Sequence, residues 1–399
     1  MVEKNRHDTL KSVVVHIITK LELGGAQENT LINCEKLDRG RYEVFLVSGD
    51  GGILNGRAEE SLGERFIIVP SLVREINPLR DFQALLSLTA LLRRIKGEFP
   101  GQPLIVHTHS SKAGILGRIA ARLAGCHIII HTVHGFGFTP LQSFLTRRFF
   151  IFLEKFVSRF TDAFVLVSEA NGREGIDLGI FDGEKTVLIR SGFDVERFAS
   201  GEKARGREII GCDDGRYTVG MVACFKPQKN PLDFVRMAGF LREKGYDFQY
   251  VLVGDGELRP AIAAEIVRLG LGDSFHLTGW VEEVEHVMAA FDVLVLTSLW
   301  EGLPRVIPQA LALGIPVVVT NVDGNPEVVE EGKTGYVVPP RNPQKAAEAV
   351  ERVYRGEIDR EALLRARERV RREFSQEMMV ERHERLYDRL LRSRGYRVE

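Results

Sequence analysis

The sequence predicts an α/β protein of two Rossmann-like, doubly wound domains facing each other across a cleft. Three observations predict it. Short runs rich in Val, Ile and Leu recur along the chain, each followed by a segment of helical length. The runs are almost continuously apolar rather than alternating, which marks strands covered on both faces, as in parallel sheets. The strand–helix repetition also comes in two series of similar size, and strand–helix–strand units imply parallel sheets with right-handed crossovers. A chain of 399 residues has the length of two or three domains.

In the first series the opening strand is read at 12–19, with SVVVHIIT as its sequence. Further strands are expected at 43–48, 65–70, 103–107, 127–133, 163–168 and 186–190. Helices are expected between them, for example at 25–37, 84–95 and 112–124. The alternation then pauses at 196–216 (ERFASGEKARGREIIGCDDGR), a polar, Gly-containing stretch that suits an interdomain link. A second series follows, with strands at 217–223, 248–253, 274–278, 292–297, 315–320 and 335–338. From 343 onward the chain is rich in Arg and Glu and reads as helical. Ser375 suits an N-cap, and Met379, Leu386 and Leu390 then share one helical face. The expected domains are 1–195, 196–375 and a closing helix at 376–399 that crosses back to the first.

Composition narrows the function. Lys+Arg is 54 and Asp+Glu 55, a net charge of −1, which argues against a dedicated nucleic-acid binder. With 44% hydrophobic and 27% charged residues the chain is ordinary globular protein, neither disordered nor collagenous. None of the four cysteines forms a C-x-x-C pair, so a zinc ribbon or a redox dithiol is not expected. Residues 1–11 lack the apolar core of a signal peptide, and no uncharged apolar run reaches about 18 residues. A reducing cytoplasm is the expected location.

In doubly wound sheets ligands bind outside the carboxyl ends of the strands. One such loop carries Gly24, Gly25 and Ala26 after the opening strand and before a helix. Its glycines let backbone N–H groups approach an anion at the helix N-terminus, although a plain tight turn has the same residues. A second is SLWEGLPR at 298–305. Pro304 suits a first helical turn, and the Gly302 and Leu303 amides would point at an anion. Glu301 reads either as a solvated helix-start carboxylate or as an acceptor for sugar hydroxyls. Gln309 follows eight residues later, two helical turns on.

Residues 298–330 (SLWEGLPRVIPQALALGIPVVVTNVDGNPEVVE) resemble the donor-site signature of the family 4 retaining glycosyltransferases, which have the GT-B fold. The likeness runs along almost the whole chain, through Gly24-Gly25-Ala26, HTHSSK at 107–112, His134-Gly135, Ser168-Glu169, VGDG at 253–256 and GYVVP at 335–339. It implies that Glu301 holds hydroxyls of the donor sugar, as the first Glu of the family's Glu–seven residues–Glu motif. Gln309 stands at the second Glu and would meet the ribose without a charge-assisted bond. Lys229 matches the family's diphosphate-binding lysine. Cys224 stands where an arginine is usual, so Lys226 is a candidate for the missing charge. Asp255 and Val281 would lie near the base, and His134 near the transferred sugar.

The resemblance further implies transfer of a sugar from a nucleotide-diphosphate donor, expected to be a UDP-sugar, to a glycan or polyprenyl-linked acceptor in surface polysaccharide or glycolipid assembly. No metal and no cofactor beyond the nucleotide-sugar substrate is expected. His107, His109 and His131 lack a carboxylate at ligand spacing, and Asp213-Asp214 falls in the link rather than at a strand end. On the acceptor side the candidates are His109 and Lys112. The segment 140–160 (PLQSFLTRRFFIFLEKFVSRF) has six phenylalanines and four basic residues against one Glu. It suits contact with an anionic membrane surface, or a helix with most of its Phe side chains packed inward. Two other readings stand beside transfer: a sugar-nucleotide epimerase of the same fold, and a non-catalytic nucleotide-sugar-binding protein.

Overall fold

The computed structural model describes residues 11–139, 142–212 and 215–397. The chain divides into two compact units, one of residues up to 191 together with 377 onward, the other of 192–376.

The first unit holds strands β1 (Ser12–Ile17), β2 (Tyr42–Ser48), β3 (Phe66–Ile68), β4 (Leu104–His109), β5 (Ile128–Val133), β6 (Ala163–Leu166) and β7 (Thr186–Leu188). They form one sheet in the order β3-β2-β1-β4-β5-β6-β7, every pair parallel. Both faces are covered, which explains the unbroken apolar runs. On one face Val13, Val15 and Val106 pack against Ala84, Leu88 and Leu92 of the helix Pro78–Glu98. On the other, Val14, Ile105 and Ile130 meet Met379, Leu386 and Leu391 of the closing helix Gln376–Ser393. The helix Pro78–Glu98 starts where its sequence says: the Asn77 side chain accepts the Arg80 N–H at 3.1 Å, and proline takes the first helical position.

The second unit holds β8 (Tyr217–Val222), β9 (Phe248–Val253), β10 (Phe275–Gly279), β11 (Val293–Leu296), β12 (Val317–Thr320) and β13 (Gly335–Val338). Its sheet runs β10-β9-β8-β11-β12-β13, again wholly parallel, so the loops after β8, β11 and β12 emerge side by side at one edge.

The expected link at 196–216 is corrected. It forms helices Val195–Ala199 and Lys203–Ile210 folded onto the second unit. Gly206, a linker signal in the sequence, is there for close packing: a Cβ on it would lie 1.9 Å from the His286 carbonyl oxygen. Asp213 and Asp214 lie outside the described residues. Pro304 is corrected too, because the helix begins only at Val306.

The aromatic segment becomes a helix, Phe144–Ser158, capped by Ser143; Pro140 and Leu141 lie outside the described residues. The helix is held to its neighbour, Ser111–Ala124, by a buried Arg118–Glu154 ion pair at 2.6 Å. Such a pair is costly to break singly, because one buried charge is then left uncompensated. Four of its phenylalanines, Phe144, Phe149, Phe152 and Phe156, face solvent, so of the two readings the one with most Phe side chains packed inward does not hold. No helix among the described residues is long and apolar enough to cross a membrane.

Candidate functional site

The second unit gathers charge where three strand-end loops meet. After β8 comes a turn through Lys226 to Asn230, and after β11 the loop from Thr297 to Arg305. The two are stitched together: the Leu299 N–H donates to the Gln228 carbonyl at 2.7 Å, the Gln228 side chain to the Trp300 carbonyl at 3.0 Å, and the Thr297 hydroxyl to the Asn230 carbonyl at 2.9 Å. This fixes the Lys229 ammonium 2.5 Å from Glu301 Oε1. The pair is shielded, with side chains 20% and 5% exposed. A charge pair held out of water and preorganised this way interacts more strongly with a bound anion than a solvated one does.

The loop after β12 closes the group. Asp323, at a left-handed φ of 41°, accepts the Glu301 backbone N–H at 2.5 Å, and the Gly324 N–H donates to the Gly302 carbonyl at 3.0 Å. Burial pushes the Asp323 carboxyl above its ordinary value, and the neighbouring Glu301 carboxylate adds to that, opposed by the amide it accepts from. Sequence reading missed Asp323; its signal was the Asp-Gly pair at 323–324, a turn former three residues past the end of an apolar strand.

Other expected donor-site residues occupy the same sheet edge. Lys226 is partly exposed in the β8 loop. Asp255 follows β9 and pairs with Arg259 at 3.2 Å. Its loop is drawn against the β8 loop by the Phe225 N–H, which donates to the Asp255 carbonyl at 2.9 Å. Gly254, at φ 122°, allows this, since a Cβ there would lie 2.1 Å from the Ala223 carbonyl oxygen. Val281 follows β10, and Leu303 is buried. Gln309 is buried in the helix Val306–Ala312. Glu301 lies in irregular backbone, so no two-turn helical spacing relates it to Gln309.

The first unit carries the remaining expected residues. Gly24, Gly25 and Ala26 lie after β1, where the helix Gly25–Lys36 begins. His134 directly follows β5 and is half-buried. Its Nε2 lies 3.2 Å from His109 Nδ1. The two acceptor-side candidates are both engaged within the first unit. His109 is fully buried in β4, with both ring nitrogens against other imidazoles. Lys112 is 14% exposed and spends its ammonium on Asp81 at 2.7 Å and on the Glu75 carbonyl. Sequence reading also missed His16 and His383, which join His107 and His109 in the core. Among the described residues His16, His107 and His109 form the one group whose ligand-type atoms all lie within 4.8 Å of one another.

Two parallel-sheet α/β units, one with a charged cluster at its strand ends, give the architecture of the GT-B fold. Residues 23–197 match the sequence profile "Glycosyltransferase Family 4" and residues 202–371 the profile "Glycosyl transferases group 1". The chain is 34% identical over 340 residues to the UDP-Gal:alpha-D-GlcNAc-diphosphoundecaprenol alpha-1,3-galactosyltransferase of Escherichia coli, covering 84% of this chain and 85% of that one. It belongs to glycosyltransferase family 4 and is a glycosyltransferase that uses a nucleotide-sugar donor. A capsular polysaccharide biosynthesis glycosyltransferase, CapM of Staphylococcus aureus, is 25% identical over 366 residues, 90% of this chain and 93% of that one. HepE of Anabaena, solved with UDP and glucose, shares the fold at a TM-score of 0.80 and 19% identity, over 94% of this chain and 99% of that chain.

Proposed function

We propose that this enzyme transfers a hexose from a UDP-sugar to a lipid-linked sugar at the cytoplasmic face of a membrane, with retention of anomeric configuration and without a metal. The Lys229–Glu301 contact carries the reading. The ammonium meets the departing diphosphate, and Glu301 Oε2 accepts from the donor sugar's hydroxyls. Gly302, Leu303 and Pro304 shape the loop beneath, Lys226 adds positive charge, Gln309 meets the ribose, and Asp255 and Val281 flank the base. Donor contact is also assigned to His134, Gly24, Gly25 and Ala26, which lie at strand ends of the first unit.

The cation the diphosphate needs is already built in as Lys229. The nearby carboxylates are engaged, Glu301 by Lys229 and Asp255 by Arg259. Asp323, the third carboxylate of the group, accepts the Glu301 backbone N–H, and with these carboxylates so engaged front-face displacement is the route proposed. The anomeric C–O bond breaks with its electron pair leaving on UDP. The acceptor hydroxyl bonds to the anomeric carbon on the same face, and its proton passes to the departing phosphate oxygen. The UDP donor and the lipid-linked acceptor follow the activity in the name of the Escherichia coli relative.

The test is incubation with UDP-hexoses and a short-chain polyprenyl-diphosphate sugar, the product's anomeric configuration being read by NMR. An α-linked product from an α-configured donor, unchanged by EDTA, is expected. A β-linked product defeats retention, and loss of activity in EDTA defeats metal independence. Epimerised donor without acceptor would favour the epimerase reading, and UDP binding without turnover the non-catalytic one.

The helix Phe144–Ser158 supports the membrane part. Phe144 (68% exposed), Phe149 (56%) and Phe152 (63%) stand beside Arg148 and Lys155 on a helix whose single acid, Glu154, is buried against Arg118. Aromatic side chains beside lysine and arginine suit the interface of an anionic bilayer. Flotation with anionic vesicles should carry wild type to the top of the gradient, with several-fold less of the Phe149→Ser/Phe152→Ser variant. Equal flotation of the two, or no binding by wild type, rejects this surface.

A further inference from the structure

The first unit carries apolar surface that its own core does not use. The helix Pro78–Glu98 buries Ala84, Leu88, Leu92 and Ile95 against the sheet, yet its other side exposes Leu79, Phe82 and Leu86. A surface helix of a globular protein needs one apolar stripe, not two. These exposed residues are spaced i, i+3, i+7, so they share one helical face. The same spacing recurs on two neighbours, as Leu116, Ile119 and Leu123 on the helix Ser111–Ala124 and as Phe149, Phe152 and Phe156 on the helix Phe144–Ser158. Leu123 and the three phenylalanines are exposed, and Leu116 and Ile119 are half-buried.

The three helices form one layer. The crossovers from β3 to β4, β4 to β5 and β5 to β6 all step the same way across the sheet, and right-handed connections then put their helices on one face. Lys112 meets Asp81 at 2.7 Å near the starts of the first two helices, and the Arg93 guanidinium donates to the Leu123 carbonyl at 3.0 Å near their ends. The Arg118–Glu154 pair ties the second helix to the third. The outer stripes therefore lie side by side, as an extended apolar surface of the kind that marks a contact site.

Charge decides what covers it. The helix Pro78–Glu98 has four basic residues and two acids, Ser111–Ala124 three and none, and Phe144–Ser158 three and one. Each of those acids is paired inside the layer: Asp81 with Lys112, Glu154 with Arg118, and Glu98 with Arg94 at 3.5 Å. The surplus is positive, in a chain whose net charge is −1. A second copy seated on this face would set the surplus against itself, and like charges oppose association. An anionic bilayer satisfies both parts. Its acyl boundary receives the Leu and Phe side chains, and its headgroups meet the exposed Arg80, Arg94, Arg122, Arg148 and Lys155.

We propose that these three helices together, rather than the aromatic helix alone, are the face on which the first unit lies on an anionic membrane. This rests on the membrane reading of the helix Phe144–Ser158 and extends it. Because the helices form one layer over the sheet, the bilayer runs parallel to the sheet. The strand-end loops of the first unit then open along the membrane surface rather than into it.

The test uses the full-length protein and vesicles of phosphatidylcholine with or without phosphatidylglycerol. Flotation should require the anionic lipid and weaken as salt rises. Phe82→Ser/Leu86→Ser should lower the partition coefficient by about tenfold or more, since burying one such side chain is by itself worth about that factor. Adding Phe149→Ser/Phe152→Ser should lower it further. Leu86→Trp should be quenched by brominated acyl chains. Glu60→Trp, on the helix Asn55–Leu62 of the opposite face, should be quenched no more than wild type. All these positions are exposed, and thermal unfolding of each variant confirms its fold. If Phe149→Ser/Phe152→Ser abolishes flotation while Phe82→Ser/Leu86→Ser does not weaken it and Leu86→Trp is unquenched, the three-helix face falls and the aromatic helix stands alone. Absence of wild-type flotation defeats both. Equal flotation without phosphatidylglycerol overturns the anionic partner. A dimer in solution that Phe82→Ser/Leu86→Ser dissociates makes a second copy the occupant, and overturns the proposal as well.

Discussion

Replacing Lys229 with alanine is expected to lower kcat by about 10²–10³-fold, the loss typical of removing one preorganised charge stabiliser. The departing diphosphate gains negative charge as the anomeric bond breaks, and this ammonium is held 2.5 Å from Glu301 in a shielded loop. There its field is damped less than in bulk water. Glu301→Ala should lose turnover on the same scale, because it removes both the hydroxyl acceptor and the anchor of the ammonium. The double variant should cost little more than either single one, since groups acting as a unit are not additive. Steady-state kinetics with a UDP-hexose reads this, and thermal unfolding of each variant separates lost chemistry from lost structure. Lys229→Ala leaves Glu301 buried without its partner, so some destabilisation should accompany it. Wild-type turnover in both single variants would sink the site.

The second large effect is acid lability. His16, His107, His109, His131 and His383 are buried in the first unit. Burial, chiefly, holds His16 at about 3 and His383 at about 4, and keeps the other three well below the ordinary value. In the unfolded chain each would take a proton near 6.5. Below that pH the unfolded state binds more protons than the native one, so stability falls as pH falls. It is fully present above about 6.5 and is lost progressively toward 4. Each histidine contributes roughly 1 kcal/mol per pH unit in that window. Domain stabilities are only about 5–15 kcal/mol, so the clustered set suffices to unfold the unit. Circular dichroism should show cooperative loss of structure between about pH 6 and pH 4.5, with several protons taken up per molecule. An uptake below one proton would contradict the neutral, buried histidines.

Most strands are legible because their signal is local. A strand covered on both faces needs an apolar side chain at nearly every position, and such runs are visible at 12–17, 128–133 and 293–296 without knowing their neighbours. The Glu301 loop was legible for the same reason, since it follows such a run, whereas Lys229 was singled out only by the family resemblance. The packed helices at 195–210 were not, because Gly201 and Gly206 look like linker residues until the backbones of Glu285 and His286 are placed beside them. The start of the helix at Val306 was missed because proline at a first turn and proline just before one share a sequence.

The sequence by itself determined the two parallel sheets and the order of their elements, which depend on residue type and short spacing along the chain, while the kind of chemistry the strand-end loops carry followed from the family resemblance. Only the tertiary structure decided that Lys229 meets Glu301 across 72 residues, that Asp323 braces the same loop, and that His16, His109 and His134 share protons. Those contacts join residues on different strands or in the loops that follow them. Strand order, which the parallel crossovers set and no local pattern records, alone brings them within bonding distance.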